Sequence, residues 1–166
     1  AGAGLTPILL GSYTNFMLAE ASLTLGTTGN ARIYLEEGMR ESINKVMLFG
    51  QTLATGPTVP TSTDIDDYVS DVLAKYDVGN DTEKLGVIVQ QYFIALWSNG
   101  IEAYNTYRRT GQPGNLQPAA RVADPGSFVR SNWYPQTATD SNSNLTQKAD
   151  VSIPVFWDTN PEGFVH

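Results

Sequence analysis

Few residues in this chain have the type and spacing to do chemistry. Asp140-x-Asn142-x-Asn144 presents oxygen donors at the spacing that opens a calcium loop of the EF-hand type. Such a loop needs a sharp-turn glycine at its sixth position and a bidentate glutamate at its twelfth, where Leu145 and Val151 stand. These residues therefore read as Asx-turns, and no metal site is expected. Arg108 and Arg109 in "YRRTGQP" could meet a phosphate, but neighbouring helical positions diverge by about 100°. The pair suits the last turn of a helix, where a cation opposes the negative end of the dipole. Glu20 in "FMLAEASL" is a carboxylate on an apolar face, so it is either an acid with a raised pKa or half of an ion pair. The ion pair is the simpler reading, with Arg109 as first partner and Arg108 as second. Trp133 and Tyr134 offer flat faces of the kind that suit sugar rings, and Arg130 and Asn132 are near enough in sequence to donate to hydroxyls. Trp133 is expected to face solvent and Tyr134, its neighbour in an extended loop, to point inward.

Catalysis finds no support in the same survey. His166 is the only histidine and the last residue, and no pattern pairs two carboxylates across a cleft. No catalytic residue and no cofactor are expected. Ten basic residues against seventeen acidic ones give a net charge of -7, which excludes a sequence-independent hold on nucleic acid. The absence of cysteine removes disulfides, thiolates and Cys-based zinc sites. No apolar run approaches the ~20 residues that span a bilayer. The opening "AGAGLTPILL" has no initiator Met and reads as part of a longer chain.

Helices must carry most of these residues. Thr6-Pro7 is a helix start, and Leu9, Tyr13, Phe16, Met17, Glu20 and Leu23 follow at helical spacing before Gly26. A second helix after Asn30 places Tyr34, Leu35, Met39, Ile43, Val46 and Met47 on one face and ends at Gly50, forming an antiparallel hairpin with the first. The loop "TLATGPTVPTST" leads to a third helix, with Thr63 and Asp66 as a capping box and a stripe of Ile65, Tyr68, Val69, Val72, Leu73 and Tyr76. A fourth helix runs from about Thr82 to Arg109, burying Leu85, Ile88, Val89, Tyr92, Leu96, Ile101 and Tyr104, with "SNG" at 98–100 as a point of kinking. Gly111 and Pro113 stop it. The expected fold is mostly α: two tetratricopeptide-like helical hairpins over 1–111, without the signature of that repeat, and a long irregular C-terminal wrap over 112–166 packed on the helices as one domain. Phe128, Trp133, Tyr134, Phe156, Trp157 and Phe164 argue that this segment is ordered, and Trp97 and Trp157 read as core.

Four stretches in this order carry a resemblance. "FMLAEASLTLG" (16–26), "QQYFIALWSNGIEAYNTYRRTGQP" (90–113), "VRSNWYPQTATDSN" (129–142) and "VFWDTNP" (155–161) are together similar to the SusD/RagB family. The resemblance implies a helical nutrient-binding lipoprotein on the outward face of a bacterial outer membrane. Such a protein captures a glycan, or in some members a peptide, and delivers it without catalysis to a SusC-type TonB-dependent transporter. It implies that this chain is the C-terminal part of a member, with the lipid-bearing cysteine upstream and no other membrane contact. Arg109 fits the family's helix-ending arginine; Arg130, Tyr134 and Pro135 fit its arginine and Tyr-Pro pair, and Asn142 the asparagine that follows. Ala138 stands where the family often has glutamate. A helical-repeat scaffold that binds only protein is the alternative.

Overall fold

Asparagine and threonine caps set where most of the helices begin. In the computed structural model, which describes residues 7–50, 59–116 and 129–159, these caps open α2 to α5 of six helices. They are α1 (Gly11–Thr24), α2 (Ala31–Gly50), α3 (Ser62–Val78), α4 (Asp81–Ala95), α5 (Gly100–Thr110) and α6 (Gln136–Ser141). The described residues contain no strand, and the mostly α expectation is met. The chain divides into two compact units, Ala1–Pro113 and Gly114–His166. Thr6, most of the loop before α3, Phe128, Phe164 and His166 lie outside the described residues.

The Asn30 side-chain oxygen accepts from the N–H groups of Arg32 and Ile33, at 3.0 and 3.3 Å, satisfying donors that the first turn of α2 leaves open. Asn80 and Glu83 form a reciprocal capping box at α4. The box at α3 is Thr61 with Asp64, not Thr63 with Asp66 as the sequence suggested. Asp66 serves Arg40 of α2 instead, at 2.7 Å.

Two boundaries depart further from expectation. The first helix starts at Gly11 rather than at Pro7, and Leu10 before it is extended and caps nothing with its side chain. The Asn99 amide donates to the carbonyls of Pro7 and Ile8, at 3.2 and 3.4 Å, and holds that segment out of the helix. Leu9 is consequently exposed. The long helix expected from Thr82 to Arg109 is two helices. Ser98 sits at a φ of 74°, in the left-handed region, and Asn99 then caps α5 by accepting from Glu102 N–H at 3.2 Å. The break rotates everything beyond it. Ile101 and Tyr104 lie on the exposed side, Thr106 and Tyr107 are buried in their place, and Trp97, read as core, stands in the link at 85% exposure.

Cross-contacts fix the packing as antiparallel neighbours. Phe16 of α1 lies over Gly38 of α2, and Asn15 reaches Glu41. Arg32 pairs with Asp77 and Arg40 with Asp66, so α2 and α3 run oppositely; Tyr68 donates to Gln91 at 2.6 Å between α3 and α4. These half-exposed ion pairs add little energy but set register. One core takes side chains from α1, α2, α3 and α4, including Phe16, Leu35, Leu73 and Tyr92. Phe16 stacks on Tyr92 with centroids 5.6 Å apart, and Tyr13 meets Tyr92 edge to face at 5.7 Å.

The hydroxyls of Tyr13 and Tyr92 are buried without a hydrogen-bond partner among the described residues. Burial pushes the Tyr92 phenol well above its ordinary value, assisted by the charges of Glu102 and Glu20 and opposed by Arg109, and burial raises Tyr13 and Tyr76 in the same direction. A phenol whose folded pKa is raised contributes stability that is complete below its unfolded value, about 10, and lost as pH rises through the folded one. Urea midpoints should therefore fall as pH climbs past about 10, and Tyr92→Phe should flatten that fall while leaving stability at neutral pH intact. An unchanged slope in the variant would count against the assignment.

Candidate functional site

The site is built on the segment that begins at Arg130. Its backbone is fixed first: the N–H groups of Arg130 and Ser131 both donate to the Val151 carbonyl, at 2.9 and 3.0 Å, and the Ser131 hydroxyl donates to Ile153 O at 2.5 Å. Beneath that backbone Arg130 makes a two-point ion pair with Asp158, Nε to Oδ2 and Nη2 to Oδ1, both at 3.1 Å. The two side chains are 1% and 4% exposed. A charge so desolvated is tolerable only when paired, and the fork of the guanidinium matches a carboxylate at two points. Arg130, expected to donate to a ligand, is thus buried and committed to Asp158. The missed signal was Asp158 in "VFWDTNP", an acid set among apolar residues.

Three residues on, Trp133 is 51% exposed and Asn132 beside it is exposed as well. Gln147 braces the next residue: Tyr134 N–H donates to Gln147 Oε1 at 3.0 Å, and Gln147 Nε2 donates to Tyr134 O at 2.9 Å. Tyr134 does not point inward as expected. It is 38% exposed, with the Lys148 ammonium 4.9 Å from its ring centroid, so a cation and not a core occupies its face. Pro135 then opens α6, its carbonyl accepting from Ala138 and Thr139. After α6 the Asn142 side chain accepts from Asn144 N–H at 3.0 Å, the Asx-turn expected of this stretch. Trp157, read as core, is 67% exposed against Phe156.

The expected partners at the end of the helical unit do meet. Arg109 donates to Glu20 through both terminal nitrogens, Nη2 to Oε2 at 3.0 Å and Nη1 to Oε1. Glu20 is 12% exposed and Arg109 53%, so the carboxylate is sunk in the apolar face and the guanidinium lies over it. Arg108 is half-buried, and Gly111, at a φ of 70°, closes the helix by donating to Tyr107 O at 2.8 Å. The pair fastens α1 to α5. The helical unit also carries a shallow open groove. Phe16, Met39, Ile43 and Ile94 line it, and its amide and phenol, Gln91 and Tyr68, are bonded to each other.

Together these contacts give a loop with a half-exposed indole, fixed from below by a buried ion pair and from the side by a glutamine. The family model SusD-like, described as Susd and RagB outer membrane lipoprotein, matches residues 6–153. The chain belongs to the SusD-like family. No curated protein and no solved structure gives a significant match. SusD-like proteins are nutrient-binding lipoproteins of the outer membrane, and that is where this chain belongs. Among the described residues no helix is long and apolar enough to cross a membrane. The SusD-like match takes in Arg130, Trp133 and Tyr134 and stops short of Asp158.

Proposed function

We propose that this SusD-like chain binds a glycan through Trp133, with Asn132 as its hydrogen-bonding neighbour, and that the protein hands the glycan without catalysis to a SusC-type TonB-dependent transporter. The observation that carries the reading is the half-exposed indole of Trp133 on a loop whose backbone is fixed on both sides. Stacking a sugar on an aromatic face is effective when the face is already held in place, because little side-chain freedom is lost on binding. Asn132 can both donate to and accept from hydroxyls. Arg130 supports the loop and does not face the ligand.

Trp133→Ala should weaken the affinity for a bound soluble glycan by about tenfold, the equivalent of one modest stacking contact, while the melting temperature stays within a degree or so. Loss of affinity and melting temperature together would make Trp133 a packing residue. Co-purification with a β-barrel transporter in the absence of any saccharide binding would favour a purely protein-binding scaffold instead.

A further inference from the structure

The C-terminal unit displays a second pair of aromatic faces. Phe156 is 95% exposed, and Trp157 meets it edge to face with centroids 4.5 Å apart. Rings on an irregular segment gain by folding onto the nearest apolar surface. These are held out by the residue that follows them: Asp158 lies inside the unit on Arg130, and its N–H closes a tight turn onto Val155 O at 2.9 Å. Arg130 in turn precedes Trp133 by three residues. One buried ion pair therefore anchors the roots of both aromatic segments. The exposed polar residues of the unit include Asn132, Asn142, Asn144 and Thr146, amides and a hydroxyl that suit sugar hydroxyls.

We infer that Trp157, with Phe156 at its edge, is a second stacking face for the same saccharide that lies on Trp133, and that the Arg130–Asp158 pair is the positioning element setting the separation of the two faces. The inference rests on the glycan reading above and adds residues beyond the matched stretch, which ends at 153. A ligand long enough to touch both faces gains from the second contact without a second association cost, whereas a short one occupies a single face.

The test is titration calorimetry on the whole chain with disaccharides and hexasaccharides of the cello-, malto- and manno- series. In the native chain the hexasaccharide of the preferred series should bind more tightly than its disaccharide. Trp157→Ala, a change at a largely exposed position that removes the ring contact with Phe156, should cut hexasaccharide affinity about tenfold and leave disaccharide affinity unchanged. Trp133→Ala should weaken both. Asp158→Glu keeps the charge but lengthens the arm, and should weaken hexasaccharide binding more than disaccharide binding, reducing the length dependence. Equal hexasaccharide affinity in Trp157→Ala and the native chain, with Trp133 still required, overturns this inference alone. Equal loss for both ligand lengths also overturns it. Absence of saccharide binding in the native chain overturns the glycan reading and this inference together, as does Trp157-dependent binding of an apolar peptide in place of sugar.

Discussion

Asp158→Ala is expected to destabilise the C-terminal unit by about 3–5 kcal/mol, because it removes the carboxylate that meets the buried Arg130 guanidinium at two points. Arg130→Ala should do the same from the other side. With both side chains at 4% exposure or less, water cannot take over the lost partner's role without opening the unit. The effect should appear locally, as faster amide exchange at Arg130 and Ser131, whose N–H groups are bonded to Val151, and as proteolysis within 129–159. Replacing both members with apolar residues of similar size, Arg130→Met with Asp158→Leu, should recover most of the loss. Single variants that cost less than about 1 kcal/mol would show the pair to be solvated and of the surface kind.

Phe16→Ala is expected to destabilise the helical unit by a similar amount, about 3–5 kcal/mol. Phe16 is 1% exposed, stacks on Tyr92 and lies against the backbone of α2 at Gly38, where an added Cβ would come within 3.0 Å of the ring. Removing the ring leaves a hole bounded by α1, α2 and α4 that straight helices cannot close. Gly38→Ala crowds the same ring and should cost about 1 kcal/mol or more on its own. In the Phe16→Ala background that cost should vanish or change sign, since the methyl then partly fills the hole. Chemical denaturation of the four chains checks this, and strict additivity would mean that the two residues do not touch.

The helical faces were legible because burial repeats with the helical period, and Tyr13, Phe16, Leu35, Met39, Val69 and Ile88 all fell where that period put them. Glu20 with Arg109 was legible for a different reason: a lone carboxylate on an apolar face creates a need, and few cations could meet it. The weak point at 98–100 was legible as a kink but not as a full break between two helices, because serine seldom adopts a positive φ and only the competing role of Asn99 makes it worthwhile there. Thr61 and Thr63 each have an aspartate three residues on, so the choice between two capping boxes rested on which aspartate Arg40 takes. In the candidate segment the exposure of Trp133 could be read from the sequence, but the burial of Arg130 could not. Its partner is 28 residues away, in a stretch with no periodic pattern to say which residues face inward.

Asn99 has a bearing on the order of events during folding. Its side chain reaches carbonyls 92 and 91 residues earlier, while its oxygen starts a helix only three residues later. The local half can form as soon as α5 does; the distant half requires that nearly the whole helical unit already be closed, and the entropy of so long a loop must be lost before that contact returns anything. The strap from Asn99 to Pro7 and Ile8 is therefore expected to be a late contact, formed after the helices first collapse. Interactions made after the rate-limiting barrier slow escape from the native state rather than hasten arrival. The residue that interrupts the long helix thus acts as a latch, and what it governs is how long the helical unit stays folded once it has closed.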